Sequence, residues 1–246
     1  MSASTTNVFL KMIPLSLFHR AILAGSLAVF LTALFELTCL DQVTKMRSTV
    51  QGRALYASSL RANLLNNLVL GPITYYLSVR YVCRSPNETM TLQEQIVAAC
   101  GMVLIEGISY YLIHKAFHEV KGLYWMHKYH HSFNEIVLPS SANAVSVWEY
   151  TIAYMLPLAW GAALAGADEV AAFSGLAVIA VSNLLIHTPW LEQYEYPGSC
   201  WIFCSTSDHL SHHGKTLGNY GAPVFHMDRI MERCLSSLEG KGSKMQ

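Results

Sequence analysis

Charged side chains are scarce in this sequence. Aspartate, glutamate, lysine and arginine make up 13% of its 246 residues, against roughly 25% in ordinary soluble domains. Basic and acidic residues also balance, 16 against 16. The chain therefore has no basic excess that would attract nucleic acid, and we expect no nucleic-acid partner. Because 52% of the residues are hydrophobic, the composition predicts an integral membrane protein.

Several familiar site patterns are missing as well. The six cysteines show no C-x-x-C spacing, which favours buried, reduced thiols over a metal or redox motif. Without an H-E-x-x-H segment, a zinc metalloprotease would lack its usual ligands and base. No glutamate stands three residues before a histidine, so a ferritin-like carboxylate di-iron bundle is unsupported. The absence of internal repeats and long linkers predicts a single domain over residues 1–246.

Apolar runs, by contrast, are abundant. Runs of about 20 apolar residues, the length that crosses a bilayer, occur at about 21–40, 64–81, 96–113, 147–164 and 170–186. The second contains Gly71-Pro72, so we expect it to be kinked or only partly inserted. The last two are separated by a short turn and form a helical hairpin. The sequence predicts an all-α integral membrane protein with four or five spans.

Three acids lie in or near these apolar runs. Glu36, Glu106 and Glu149 are there, and an acid in such a place is costly enough that a functional or paired role is the default. The sequence does not tell which of them faces a site.

Histidines are clustered to an unusual degree. Nine of the eleven form four groups along the chain: His114 and His118; His127, His130 and His131; His187; His209, His212 and His213. Residues three and four apart share a helix face, so each cluster presents its imidazoles in one direction. One tetrahedral ion takes three or four ligands, so nine histidines suit two metal ions. Imidazole alone does not select iron, copper, zinc or nickel.

The order of segments brings these histidines to one side of the membrane. The third run ends at His114, and the hairpin leaves that side and returns to end at His187. Twelve lysines and arginines lie on this side in that arrangement and four on the other, so the positive-inside rule predicts a cytosolic, histidine-rich helical cap. The sequon at Asn87 falls on the opposite, lumenal side.

Three ordered motifs now carry a resemblance to a known family. His114-Lys115-Ala116-Phe117-His118, His127-Lys128-Tyr129-His130-His131 and His209-Leu210-Ser211-His212-His213 resemble the histidine boxes of the fatty acid hydroxylase/sterol desaturase superfamily. Asn219-Tyr220-Gly221 and Asp228-Arg229 resemble the tail that follows the third box. The resemblance covers residues 106–229. Beyond Arg229 the sequence departs from the common Phe-Gly-Thr-like ending, which leaves the carboxyl-terminal contacts and the substrate subgroup open.

The resemblance implies a non-haem di-iron oxygenase that hydroxylates or desaturates a lipid, either a sterol or a fatty acyl or sphingoid chain, in the endoplasmic reticulum. It implies two iron ions, with zinc as a possible substitute. No His-Pro-Gly-Gly haem segment is present, so we expect an external electron donor such as cytochrome b5, or a ferredoxin with its reductase.

The resemblance also extends the site beyond the boxes. His187 is expected to be a metal ligand, and Asn183 resembles the asparagine that reaches a metal through water in membrane acyl desaturases. Acids should orient the ring N–H groups of the ligands, with Asp208 the first candidate and Glu119 and Glu106 behind it. His19 and His226 lie outside every box and are not assigned to the site.

Two other hypotheses remain open. A non-catalytic relative could keep a zinc-filled histidine core as a structural element. A membrane zinc-binding receptor or transporter is the other, although a transporter is expected to place its ligands near the bilayer midplane.

Overall fold

The computed structural model describes residues 16–85, 88–194 and 201–242. Within these residues the regular elements are helical, and their bounds are α1 Leu17–Glu36, α2 Leu40–Met46, α3 Val50–Leu65, α4 Gly71–Tyr81, α5 Leu92–Glu119, α6 Tyr124–His127, α7 Val147–Glu149, α8 Leu156–Leu164, α9 Glu169–Ile186, α10 Thr206–Lys215 and α11 Met227–Gly242. The predicted all-α class is confirmed. Asn87 of the sequon lies outside the described residues.

Three stretches of the described residues are long and apolar enough to cross a membrane. They are Leu17–Met46, which contains α1 and α2, then α5 and α9. Large apolar side chains on the outside of α1, including Phe18 and Phe30, are more than half exposed, as expected for surfaces that face lipid. At the helical rise of 1.5 Å per residue, the 28 residues of α5 extend about 42 Å. This exceeds the roughly 30 Å hydrocarbon core, so one end of α5 can lie beyond it.

The other two apolar runs are helical but interrupted. A π-helical segment, Asn66–Leu70, joins α3 to α4, and a second, Tyr150–Met155, joins α7 to α8. The first segment turns an amide inward, where Asn66 Nδ2 donates to the backbone oxygens of Asn143 and Val145 at 2.9 and 3.2 Å. In place of the predicted four or five spans, the described residues thus contain three stretches long and apolar enough to cross a membrane and two interrupted helical segments. The local distortion expected at Gly71-Pro72 is the first π-helical segment.

The predicted hairpin is confirmed, and it packs closely on α5. The chain turns through Gly166 at a φ of +61°, and Asp168 caps α9 by accepting from the Ala171 N–H. On α8, a Cβ at Gly161 would lie 2.8 Å from the backbone oxygen of Met102 in α5. A side chain at Gly161 would therefore force the two helices apart, which is why small residues mark such membrane interfaces.

Short elements cover one end of this bundle. α6, the 3₁₀ turns His130–Ser132 and Pro139–Asn143, and α10 follow or adjoin the ends of α5 and α9. Ser205 caps α10 by accepting from the Asp208 N–H at 3.1 Å, so the helix carrying the third histidine motif begins at a fixed place. The histidine-rich cap predicted from the sequence is therefore present as helices and turns.

Candidate metal centre

All nine clustered histidines converge in the cap, and they form two groups. The first histidine group contains His114, His118, His127, His131 and His212, and the second contains His130, His187, His209 and His213. Within each group the potential ligand atoms all lie within 4.8 Å of one another. The groups adjoin, because the rings of His131 and His213 have centroids 5.1 Å apart. The structure thus assembles every histidine predicted to be a ligand.

The division into groups does not follow the motifs. His130 and His131 are neighbours in sequence but enter different groups, as do His212 and His213. Adjacent residues on a helix point about 100° apart, so an H-H pair can serve two sites from one turn. Each H-x-x-H-H motif therefore contributes to both groups.

Hydrogen bonds fix the orientation of several imidazoles. Nδ1 of His114 lies 2.8 Å from the Tyr220 carbonyl oxygen, Nδ1 of His212 lies 2.8 Å from that of Gly218, and Nδ1 of His187 lies 2.7 Å from that of Asn183. A carbonyl oxygen only accepts, so the proton is on Nδ1 in each ring. This leaves Nε2 with a free lone pair, which is the form that binds a metal.

These lone pairs face one another at short range. Nε2 of His114 lies 2.9 Å from Nε2 of His127 and 3.2 Å from Nε2 of His212. In the second group, Nε2 of His209 lies 2.9 Å from His187 Nε2 and 3.2 Å from His213 Nε2. Two nitrogens bound to one ion at about 2.1 Å lie about 3.0 to 3.4 Å apart. The spacing fits one ion in each group.

Unsatisfied atoms support the same conclusion. Nε2 of the buried His130 has no hydrogen-bond partner among the described residues, and such an atom is costly unless something else binds it. Burial, and after it His212 and His118, lower the pKa of His131 to about 3. Burial also lowers the pKa of His213 well below its usual value. Both imidazoles are therefore neutral at pH 7, as metal ligands must be.

A buried acid completes the first group. Glu149 Oε1 lies 2.6 Å from Nδ1 of His127, and both side chains are buried. A carboxylate there accepts the ring N–H and so leaves Nε2 of His127 directed toward His114, and it would offset part of the charge of a bound metal. The site is built from helix ends, turns and one acid, and each of its two histidine groups could bind a metal ion.

Comparison with known families gives a concordant result. The family model described as fatty acid hydroxylase matches residues 99–233, which is more than half of the chain and contains all nine of these histidines. The chain belongs to the fatty acid hydroxylase family. Comparisons with curated proteins and with solved structures gave no match.

The tail of the family motif has a structural role in the centre. Tyr220 and Gly218 supply the carbonyl oxygens that hold His114 and His212. The Gly221 N–H donates to Asp228 at 2.7 Å, which fastens this loop to α11. The motif was recognisable in the sequence but this role was not, because every residue type carries a backbone carbonyl.

Asp208 was predicted to orient the ring N–H of a metal ligand, but its described contacts are with residues outside the two histidine groups. Its carboxylate accepts from Arg229 and from the Ser205 hydroxyl, both at 2.7 Å, and approaches His226 at 3.6 Å. Burial opposes its ionisation, but His226, Ser205 and Arg229 together lower its pKa to about 2. Asp208 therefore anchors α10 to α11, and the acid that the structure places in hydrogen-bond contact with a histidine of either group is Glu149.

Of the remaining predicted residues, Asn183 contacts a histidine group and the two glutamates do not. Asn183 donates from Nδ2 to the Ala142 carbonyl at 3.2 Å and accepts from His187 through its own carbonyl, so its water-mediated role stays a prediction. Glu119 is exposed and lies 3.9 Å from Lys115. Glu106 is buried, and its Oε2 has no hydrogen-bond partner among the described residues. His19 and His226 are members of neither group, as predicted.

Glu149→Gln is expected to weaken metal binding about 10- to 100-fold, the usual cost of losing a residue that orients a ligand. Glutamine still accepts from His127 but carries no charge. Chelator competition under anaerobic conditions measures the loss. Glu119→Gln is the matched control and should bind metal like the parent, and equal affinities in both variants would show that Glu149 has no such role.

Proposed function

We propose that this family member is a membrane-bound di-iron oxygenase that hydroxylates or desaturates a lipid, using dioxygen and electrons from an external donor. One observation carries the proposal beyond metal binding. An apolar cavity of about 170 Å³ lies inside the bundle among α1, α4, α5, α8 and α9 and extends to residues that touch the histidine groups.

The two ends of this cavity differ. At one end it is lined by Tyr75, whose hydroxyl donates to Glu169 at 3.2 Å, and Arg20 binds the same carboxylate at 2.7 Å. At the other end it is lined by Tyr110 and Asn183. The ring of Tyr110 is 5.1 Å from that of His114, and the Asn183 carbonyl holds His187. A hydrocarbon chain in the cavity would thus point toward the two groups.

In this proposal the histidines bind the metals, the apolar wall binds the lipid, and other groups orient the histidines. Two iron ions held by the nine histidines would supply the dioxygen chemistry that breaks an unactivated C–H bond. The apolar wall binds the lipid and excludes water from it. Glu149 and the carbonyls of Tyr220, Gly218 and Asn183 keep four imidazoles oriented. Hydroxylation leaves an alcohol and desaturation an alkene, and zinc could occupy the same ligands without supporting either.

The proposed setting is the endoplasmic reticulum membrane with the cap in the cytosol. There a lipid enters from the bilayer while a soluble or membrane-anchored donor, cytochrome b5 or a ferredoxin with its reductase, delivers electrons from the aqueous side. Lys121, Lys128 and Lys215 are exposed on the cap, and such a basic surface would attract an acidic donor.

Charge reversal at Lys121, Lys128 and Lys215 together is expected to slow reduction by cytochrome b5 at least about fivefold at low salt, because steering charges act on association. The difference should shrink as salt screens the charges. Stopped-flow reduction measures both effects. Arg80→Glu is the control, because Arg80 is exposed near the carboxyl end of α4 and is not one of the three cap lysines. An unchanged rate in the triple variant would exclude this docking surface.

Lipid profiling tests the proposed function. Cells that produce the chain are compared with cells that produce His131→Ala, which lacks a ligand of the first group. We expect a hydroxylated or newly unsaturated lipid only with the parent chain, carrying ¹⁸O from ¹⁸O₂ if it is an alcohol. Identical lipid profiles would contradict the proposal.

A further inference from the structure

One buried acid is not accounted for by the metal centre. Glu106 is 2% exposed, and its Oε2 has no hydrogen-bond partner among the described residues. The other acids singled out in apolar segments each have at least one partner: Glu36 accepts from Ser140 at 2.9 Å, and Glu149 binds His127 through Oε1, although its Oε2 also lacks a described partner. A buried carboxyl without a partner is costly, and within a membrane segment such a group marks a functional site by default.

Glu106 lies in the wall of the apolar cavity. Among the described residues that line the cavity there is no lysine, arginine or histidine, so the cavity itself offers no counter-ion. The same cavity is lined by small residues of α1, Ala21, Ala24 and Ala28. The missing partner of Glu106 is therefore best supplied by whatever fills the cavity.

We propose that Glu106 binds a hydroxyl group of the lipid substrate inside the cavity. This inference rests on the proposed function and narrows its substrate class. A hydroxyl both donates and accepts, so it satisfies the carboxyl in either protonation state. An ionised carboxylate or phosphate headgroup would instead bring a net charge into a cavity whose described lining holds no cation, which is strongly unfavourable. The substrate is thus a lipid alcohol rather than a free fatty acid.

The position of Glu106 also bears on which carbon reacts. Glu106, Tyr110 and His114 are four residues apart in α5, so they share one helix face. Eight residues of helix place Glu106 about 12 Å from His114 along the axis. A lipid held by its hydroxyl at Glu106 presents a distant carbon to the histidine groups. Oxidation is expected far from the hydroxyl-bearing carbon and not beside it.

Binding to the metal-loaded protein, kept anaerobic so that no lipid is oxidised, tests the inference independently of oxygen chemistry. Two matched pairs are compared in nanodiscs: 1-hexadecanol with its methyl ether, and cholesterol with its methyl ether. Each ether keeps the chain or rings but cannot donate. We expect the alcohol of at least one pair to bind at least about tenfold more tightly, about 1.4 kcal/mol. Equal affinities in both pairs would overturn the inference, as would tighter binding of hexadecanoate than of hexadecanol.

Variants then assign the preference to the residue. Glu106→Leu should reduce the alcohol preference to less than about twofold, because the accepting oxygen is gone. Glu106→Gln keeps an accepting oxygen and should retain most of it. Leu104→Met, on the exposed face of α5 and outside the cavity wall, is the control and should retain all of it. A preference that survives Glu106→Leu unchanged would reject the assignment.

Photolabelling needs no variant and covers the case in which Glu106→Leu fails to fold. Hexadecanol carrying a diazirine beside the hydroxyl should label the α5 peptide that contains Glu106 in the parent protein. Labelling confined to α1 and α4 near Arg20 and Tyr75 would overturn the inference. A chain that binds alcohols in this way but never oxidises a lipid would refute the proposed function and leave the binding site standing.

Discussion

Replacing His212 with alanine is expected to abolish lipid oxidation and to lower the metal content from about two ions per chain to about one. His212 Nε2 lies 3.2 Å from His114 Nε2 in the first histidine group, and its loss removes one ligand and exposes the others to competing water. The second group keeps all its members. We expect turnover to fall at least about 100-fold, more than the loss of an orienting residue costs. Metal analysis and product formation measure the two effects.

His209→Ala provides the reciprocal experiment. His209 contacts both His187 and His213 in the second group, so its loss should remove the other ion and leave the first. The double variant should hold neither. His19→Ala changes an exposed histidine outside both groups and should behave like the parent. If both single variants kept two ions and full turnover, the division into two metal-binding groups would be wrong.

Exchanging iron for zinc is expected to remove all oxidation while preserving the fold. The ligands are neutral imidazoles, which accept either metal, and any ion that binds only the folded state stabilises it. Zinc has no redox chemistry, so the zinc protein should resist thermal unfolding like the iron protein yet form no product. Thermal melts of the metal-free, zinc and iron forms, with product analysis of each, measure this.

The same comparison separates the enzyme from its rivals. A structural zinc core would show its greatest stability with zinc and no oxygen-dependent product with either ion. Restoration of product by Fe²⁺ after chelation, but not by Zn²⁺, is the result we expect. Product formation by the zinc protein would contradict a redox role for the metals.

The main outlines of the fold were predictable because hydrophobicity and helix geometry determine them directly. Long apolar runs predicted α1, α5 and α9, and the short turn at residues 165–169 predicted the hairpin. The interruptions at Asn66–Leu70 and Tyr150–Met155 were harder. They depend on tertiary contacts, such as those of Asn66 with the carbonyls of Asn143 and Val145, that a pattern of single residues does not record.

The candidate site was predictable in its members but not in its internal arrangement. Spacing and order pointed to all nine histidines, whereas the separation of His130 from His131 depends on side-chain direction in one short turn. The sequence indicated that an acid at Glu149 is costly in an apolar segment. It did not predict the contact with His127, because the two residues are far apart along the chain. Asp208 was favoured because it adjoins the third motif, and the fold turns its carboxylate to Arg229.

Anaerobic purification followed by metal analysis and an oxygen-dependent assay tests the central claim most directly. We predict about two iron ions per chain, and a hydroxylated or desaturated lipid that forms only when dioxygen and a reductant are added. Protein that moves zinc across a membrane, holds no iron and consumes no oxygen would contradict the account.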